Sequence, residues 1–187
     1  MDVLEPGSSA TFAYAHVRYA AIRNAAFAAT LRGMDEVPHE TTLTALSPHA
    51  VRAFQQQWRS PHWSGAGNWS WTLLARRFAR KPRSFHAALW HGTMLCGLCV
   101  GRVSKGREHL TLHYMESSPS RTHPLRGLVM PTMFEAALRY ALALDVKKLV
   151  LREPLPGMIS RYREFGFRVV GNTRNPLYLE RILAKER

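Results

Sequence analysis

Hydrophobic and polar positions near the amino terminus follow the period of a helix. Apolar residues recur every three or four positions and predict an amphipathic, alanine-rich helix over residues 11–32. Its apolar stripe comprises Phe12, Ala15, Tyr19, Ile22, Ala26 and Ala29. We expect Ser8 or Ser9 to cap the start of this helix and Gly33 to end it. The stripe predicts a face that docks on the rest of the domain, and a contact with a second copy of the chain is the alternative.

The next segment predicts a strand and two further helices. Residues 41–46 read as a first strand, and Ser47 with Pro48 then supplies a helix cap followed by a proline at the first helical position. The two predicted helices cover about residues 48–58 and 70–79. Between them, residues 59–68 are rich in Ser, Gly and Pro and predict a loop.

The apolar period changes to two in the middle of the chain, which is typical of strands. Three predicted strands, separated by two glycine-containing turns, form an antiparallel meander over residues 85–90, 94–103 and 108–115. A loop over residues 116–129 follows, and Pro131 then opens a helix. The remaining predicted elements are a helix over 133–144, a strand over 148–152, a helix over 158–165, and strands over 167–170 and 177–183.

Composition adds one unusual property, which is charge. The chain has 187 residues, of which 46% are apolar, and these numbers predict one soluble domain with its own core. No apolar run is long enough to span a bilayer, and the acidic start does not resemble a secretory signal. We therefore expect a cytoplasmic protein with no membrane partner. In contrast, 26 Lys and Arg oppose 13 Asp and Glu, and the net charge of +13 favours phosphates, nucleic acid or acidic surfaces as partners.

One dense basic run lies at residues 76–83, at the end of the third predicted helix. Its cations are Arg76, Arg77, Arg80, Lys81 and Arg83. Two interpretations stay open. The cations can be solvated and favoured by the dipole at the helix end, or they can contact the phosphates of a partner.

Cys96 and Cys99 have the spacing of a redox or zinc motif, but their surroundings favour a structural role. They lie in an apolar predicted strand, not at the start of a helix where the dipole would activate a thiol. Residues three apart on a strand are expected on opposite faces, and the sequence has no second cysteine pair. His109 and His113 share a predicted face but have no third ligand nearby. We therefore expect buried structural thiols and no metal site.

Two short motifs in the second half of the chain carry the candidate chemistry. Arg126 and Gly127 precede the long predicted helix, whose free amides can bind a phosphate, although an ordinary surface turn is the alternative. Tyr162 lies on a short predicted helix, four residues before Gly166. That glycine can end the helix in a left-handed turn, after which Phe167 starts a strand. A core aromatic is the alternative role for Tyr162.

These motifs, in this order of elements, resemble the GCN5-related N-acetyltransferase (GNAT) superfamily. The order of strand, two helices, three meandering strands, helix, strand, helix and two strands is similar to the whole GNAT fold over residues 41–183. The resemblance implies an α/β domain with a mixed, mostly antiparallel central sheet flanked by helices. The resemblance further implies that the helix at 11–32 is an added N-terminal element and that residues 1–187 form a single acyltransferase domain.

The resemblance also implies a cofactor, acetyl-coenzyme A. The family holds the pyrophosphate of coenzyme A on backbone amides of a glycine-rich loop and on the start of the next helix. Here Arg126 and Gly127 match that loop, whereas Val129 and Pro131 stand where its later glycines usually are. The implied cofactor-binding residues are Met115, Arg126, Gly127, Leu128, Val129, Met130 and Thr132.

The catalytic roles follow from the same resemblance. Tyr162 would protonate the leaving thiolate of coenzyme A. Glu116, at the end of the third meander strand, would accept the proton of the attacking amine, and His113 or Glu153 are alternatives for this role. The backbone amide near Met115 would stabilise the developing oxyanion if a bulge splays this strand.

Taken together, the sequence predicts an acetyl-coenzyme A-dependent N-acetyltransferase that acts on a primary amine. The net charge favours an acidic or phosphate-bearing acceptor, for example a charged tRNA or a ribosomal protein. The competing prediction is a GNAT-like scaffold with a decayed cofactor loop that binds RNA or an acidic protein partner. Either protein is expected as a monomer or a homodimer.

Overall fold

Seven strands form one mixed sheet in the computed structural model, which describes residues 7–58, 69–170 and 177–183. The strands are β1 Thr41–Thr44, β2 Ser84–His91, β3 Met94–Val103, β4 His109–Ser117, β5 Lys148–Arg152, β6 Arg168–Val170 and β7 Tyr178–Ile182. Their order across the sheet is β1-β2-β3-β4-β5-β7-β6. Every neighbouring pair is antiparallel except β4 with β5, which is parallel. The prediction of a mixed, mostly antiparallel sheet is confirmed.

The helices flank this sheet on both faces. They are α1 Gly7–Arg32, α2 Pro48–Gln57, α3 Trp71–Ala79, α4 Val129–Ala143 and α5 Ile159–Glu164, and a 3₁₀ turn at Pro156–Met158 precedes α5. Among the helices that the structure describes, none combines the length and the apolar character that crossing a bilayer requires. The predicted loop at residues 59–68 and the predicted turn after Val170 lie outside the described residues.

Two hydrophobic cores lie on opposite faces of the sheet. Successive residues of β2 point to different cores, since Leu89 packs in the first and Trp90 in the second. The first core joins the sheet to α1 and α4 and includes Phe85, Met133 and Tyr140. The second core joins the sheet to α2 and α3 and includes Trp58, Trp71, Phe78 and Leu98. Both faces are covered because the middle strands are apolar on both sides, as their continuous burial shows.

Helix α1 docks on α4 over part of the predicted stripe. Tyr19 and Ala26 are buried, and the buried guanidinium of Arg23 donates a hydrogen bond of 3.1 Å to the carbonyl of Ser84. Phe12 is 54% exposed, so the stripe docks later along the helix than predicted. The expected cap at Ser8 or Ser9 is wrong, because the helix already begins at Gly7.

Two other predictions are corrected by the structure. Helix α4 begins at Val129, two residues before the predicted opening at Pro131. The early start is tolerated because the missing amide of a proline removes no intrahelical bond in the first turn. Cys96 and Cys99 are buried free thiols, as expected, but both pack in the first core. A β-bulge at Cys96 shifts the alternation of β3 by one residue.

Gly97 allows the start of α4 to approach the sheet closely. A Cβ atom at this position would lie 2.5 Å from Cγ1 of Val129 and 3.4 Å from Cε of Met133. A methyl group there has to push the helix or its side chains away from β3. The position of the first turn of α4 therefore depends on the absence of a side chain at residue 97.

We expect Gly97→Ala to lower the free energy of unfolding by about 1–3 kcal/mol, the usual cost of overpacking a core. Urea unfolding at equilibrium measures this loss. Gly157→Ala is the matched control, since no atom lies within 4 Å of the position that its added methyl group would take, and it should change stability by about 0.5 kcal/mol or less. Equal losses in the two variants would contradict the close approach.

Candidate active site

The parallel strands β4 and β5 stop pairing partway along the sheet. Their paired residues run from His109 and Lys148 to Leu112 and Leu151, whereas β4 continues to Ser117 beside β3. The register between β3 and β4 places Val100 opposite Tyr114 and Gly101 opposite Leu112, so His113 is an extra, bulged residue. A bulge bends its strand. The bulge predicted near Met115 therefore lies two residues earlier, where pairing with β5 ends.

A cavity of about 460 Å³, which we call the tyrosine cavity, adjoins the end of β4 that no longer pairs with β5. The residues of the catalytic and cofactor predictions that line it are Met115, Glu116, Arg126, Val129, Met130 and Tyr162. They come from three separate segments, namely the end of β4, the start of α4 with the loop before it, and helix α5. Gly127, Leu128 and Thr132 do not line this cavity.

Three backbone amides at the start of α4 and just before it are free within the described residues, and two of them belong to Val129 and Met130, which line the tyrosine cavity. In the described part of the chain, the amides of Gly127, Val129 and Met130 donate no hydrogen bond within the protein. The amides of Arg126 and Leu128 are already used, since they donate to the carbonyls of His123 and Leu125. Free amides at a helix start, together with the helix dipole, form an anion site.

Two of the residues predicted to bind the cofactor, Gly127 and Thr132, also have structural roles within the protein. Thr132 is fully buried, and its hydroxyl donates a hydrogen bond of 2.7 Å to the carbonyl of Leu128. Gly127 has a φ of +84°, a conformation that glycine adopts without strain, and open space surrounds it. The turn before α4 therefore favours glycine at position 127. The hydroxyl of Thr132 satisfies a backbone carbonyl in the first turn of the helix.

Tyr162 lies between the tyrosine cavity and the first core. Its ring packs against Phe134 with the ring centroids 6.0 Å apart, and the residue is half-buried. Burial raises the pKa of the Tyr162 phenol. The predicted left-handed turn after this helix is present, because Gly166 has a φ of +78° and the amide of Phe167 donates to the carbonyl of Tyr162. The phenol therefore stays protonated at neutral pH beside the cavity.

Glu116 is a buried carboxylate at the same cavity. Only 8% of the residue is exposed, and one carboxylate oxygen accepts a hydrogen bond of 2.5 Å from the indole nitrogen of Trp71. Burial raises the pKa of Glu116, and the Trp71 hydrogen bond opposes this rise without cancelling it. Sequence reasoning placed Trp71 only on an apolar helix face. A buried indole needs an acceptor for its N–H, and this requirement could have indicated a polar partner for Trp71.

A serine and a histidine that sequence reasoning missed also line the tyrosine cavity. The hydroxyl of Ser117 and Nε2 of His123 are 3.2 Å apart, and His123 is 4% exposed. Burial lowers the pKa of His123, with a further contribution from Arg126. The two residues connect the end of β4 to the loop before α4. The sequence predicted both residues in the aperiodic loop over 116–129, which gave no pattern to mark them.

On the other side of the gap lies a second cavity of about 350 Å³, which we call the arginine cavity. Its lining includes Arg77, Lys81, Arg102, His113 and Arg152. The basic run predicted from sequence is thus divided, because Arg77 and Lys81 line the cavity whereas Arg76 and Arg80 do not. Arg83 instead donates a hydrogen bond of 3.1 Å to the carbonyl of Lys105.

A small cavity of about 110 Å³ lies between the other two. It shares His113, Tyr114 and Arg152 with the arginine cavity, and Met115 and Tyr162 with the tyrosine cavity. Two molecules bound on opposite sides could therefore meet near the bulge in β4. The remaining base candidate, Glu153, lies at this passage with a φ of +50°, and its carboxylate is 3.2 Å from Nε of Arg152.

Comparisons with known proteins agree on the fold. No family model and no curated protein matches the chain by sequence. Among solved structures, the ribosomal-protein-S18-alanine N-acetyltransferase from Escherichia coli is 16% identical with a TM-score of 0.58, and the alignment covers 79% of this chain and 96% of that one. The PaiA N-acetyltransferase from Thermoplasma acidophilum, solved in complex with coenzyme A, is 13% identical with a TM-score of 0.54, covering 76% and 98%. A spermidine N-acetyltransferase chimera, SpeG from Vibrio cholerae with hSSAT, is 16% identical with a TM-score of 0.59, covering 78% and 97%. The chain therefore has the GNAT fold, as the sequence resemblance predicted.

We expect Glu116→Gln to stabilise the protein at neutral pH. A carboxyl group whose pKa is raised on folding destabilises the folded state once it ionises, and glutamine keeps an oxygen for the Trp71 bond without that charge. The difference in stability should close as the pH falls through the raised folded pKa toward about 4.3, the ordinary value for Glu. Urea unfolding of both proteins over this pH range measures it. A stability difference that does not change with pH would show that Glu116 is not perturbed.

Proposed function

We propose that the protein is an acetyl-coenzyme A-dependent N-acetyltransferase that acts on a primary amine. The observation that carries the proposal is the tyrosine cavity, where six residues named from sequence lie together beside the end of β4 that no longer pairs with β5. The shared fold with solved N-acetyltransferases supports the same reaction class. We also propose that the protein is cytoplasmic and that it is a monomer or a homodimer. Residues 1–187 form one domain in this proposal.

The start of α4 and the loop before it would hold coenzyme A. The free amides of Gly127, Val129 and Met130 fit the pyrophosphate, and the exposed guanidinium of Arg126 adds a positive charge. The side chains of Met115, Val129 and Met130 provide apolar surface in the same cavity. Val129 and Pro131 replace glycines of the family loop, yet Val129 keeps a free amide and Pro131 lies within the first turn. Bound acetyl-coenzyme A supplies the acetyl group as an activated thioester.

Tyr162 is the proposed general acid. An ordinary phenol, with a pKa of about 10, already holds its proton at neutral pH, and burial raises the pKa of Tyr162 further. When the carbon–sulfur bond breaks, the departing sulfur takes the electron pair and needs a proton. Tyr162 lies on both the tyrosine cavity and the passage to the other side of the sheet, which is the location that this role requires.

Glu116 is the proposed proton acceptor for the amine. The amine nitrogen forms the new bond to the acetyl carbon and must lose one proton. A carboxylate whose pKa is raised by burial is a stronger base than an exposed one. Its hydrogen bond from Trp71 fixes the orientation of the carboxylate. Glu153 is less suited because it is exposed and paired with Arg152.

The competing function is a GNAT-like scaffold that binds RNA or an acidic protein without chemistry. The net charge of +13 and the replaced glycines support it. Three observations favour the enzyme. A buried carboxylate, a half-buried phenol and unpaired helix-start amides adjoin a single cavity, and a scaffold has no use for this combination.

Acetyl-coenzyme A should raise the melting temperature of the protein, because a ligand that binds only the folded state stabilises it. At a concentration about 100 times its Kd the rise should be about 5–10 °C for a chain of this size. Arg126→Ala should remove most of the rise by weakening the affinity. Differential scanning fluorimetry measures these shifts.

Arg168→Ala is the matched control for this experiment, since Arg168 is an exposed arginine on β6 that lines none of the three cavities. The control should keep the full rise. Absence of any rise in the parent protein at millimolar acetyl-coenzyme A would overturn the enzyme proposal and favour the scaffold.

Tyr162→Phe should lower kcat by about 100-fold or more, the scale of general-acid catalysis, while the Kd of acetyl-coenzyme A changes little. The aromatic ring and its packing on Phe134 are retained in this variant. Release of free thiol measures turnover, and calorimetry measures the Kd. Tyr178→Phe, on β7 and away from the three cavities, is the control that should keep full turnover. Full turnover in Tyr162→Phe would reduce Tyr162 to a packing residue.

A further inference from the structure

We propose that the acceptor amine carries a phosphate or carboxylate group, and that the arginine cavity binds this anionic group while the amine extends toward Tyr162. The inference rests on the proposed function, since it names the class of acceptor for that reaction. It differs from the prediction made from net charge, because it assigns the anion to four particular side chains.

Four cations from three segments of the fold line the arginine cavity. Arg77 lies on α3, Lys81 just after it, Arg102 on β3 and Arg152 at the end of β5. One carboxylate, Glu153, opposes them, and it pairs with Arg152. Within residues 7–58, 69–170 and 177–183, no ion pair includes Arg77, Lys81 or Arg102. The cavity therefore has an excess of positive charge that the described part of the protein does not neutralise.

The imidazole of His113 also lies where these cations converge. Burial, together with repulsion from Arg152, Arg77, Arg102 and Lys81, lowers the pKa of His113 to about 4. The positive charges of all four side chains therefore act on one imidazole, which lines the cavity. An anion bound among the cations would be attracted by the same fields.

The geometry also connects this anion site to the proposed chemistry. The small cavity extends from His113, Tyr114 and Arg152 to Met115 and Tyr162. An amine attached to an anion in the arginine cavity would therefore point through the gap between β4 and β5. The cofactor would approach the same gap from the tyrosine cavity, and the two substrates would not compete for space.

The same charges disfavour polycationic acceptors. A polyamine placed in the arginine cavity would bring its ammonium groups next to Arg77, Lys81 and Arg102. Among the described residues, the one carboxylate in the lining, Glu153, is already paired with Arg152. Like charges placed together in a partly buried site are repulsive. The protein is thus inferred to differ in acceptor class from the spermidine N-acetyltransferase that shares its fold.

Matched amines test the inference. O-Phosphoethanolamine and ethanolamine share an amine and differ in the phosphate, and 4-aminobutyrate and butylamine differ in the carboxylate. We expect kcat/KM, measured by thiol release with saturating acetyl-coenzyme A, to be at least about tenfold higher for the anionic member of at least one pair. Which pair shows the larger ratio distinguishes a phosphate from a carboxylate acceptor. Spermidine should be a poorer substrate than that anionic amine.

A pair of double variants separates the cavity from general surface charge. Arg77→Gln with Lys81→Gln removes two charges from the cavity, and Arg76→Gln with Arg80→Gln removes two from the same segment outside it. The first should lower the anionic-to-neutral ratio of kcat/KM by about tenfold or more. The second should keep the ratio within about twofold.

Binding measured without turnover keeps the inference separate from the proposed function. Calorimetry with O-phosphoethanolamine and 4-aminobutyrate should show weaker binding to the Arg77/Lys81 variant than to the Arg76/Arg80 variant, even if acetyl-coenzyme A fails to bind. The inference is overturned if neither anionic amine binds the parent protein at millimolar concentration, if ethanolamine, butylamine or spermidine is preferred, or if the two variants behave alike. If tRNA binds instead, and both variants weaken that binding equally, the cations form a general surface for RNA and the inference is likewise overturned.

Discussion

The end of pairing between β4 and β5 is the constraint on which the candidate site depends. The bulge at His113 turns β4 at the point where its pairing with β5 stops. Beyond that point, Met115 and Glu116 lie beside open space, and the three cavities adjoin the gap. A strand paired along its full length would fill this space with a continuous sheet and separate the two sides.

Charge differs on the two sides of this gap. On the tyrosine side, burial raises the pKa values of Tyr162 and Glu116, so that a phenol keeps its proton and a carboxylate gains basicity. On the arginine side, burial lowers the pKa of His113, and the surrounding cations lower it further. Proton transfer needs groups with shifted pKa values, whereas substrate capture needs fixed charge. The sheet keeps these two requirements apart while the small cavity connects them.

Local patterns were sufficient to predict most of the fold and part of the site. β3 and β5 begin and end where the alternation predicted, and Gly166 forms the expected left-handed turn. Arg126, Tyr162 and Glu116 were expected at one site because the order of helices and strands resembles the GNAT fold, and all three line one cavity. The bulges at Cys96 and His113 were not predictable in position, because a bulge depends on the register of the neighbouring strand.

The sequence by itself determined the secondary elements, the excess of basic residues and the presence of a tyrosine before a glycine-ended helix. Only the tertiary structure decided which of those residues lie together. Arg77 and Lys81 are close in sequence, at the end of α3 and just after it, but Arg102 and Arg152 come from distant strands to join them. Trp71 likewise meets Glu116 across 45 residues of chain. The periodicity of a helix or strand shows which nearby residues share a face. It does not show which distant segment will place a charged group or a hydrogen-bond acceptor against that face.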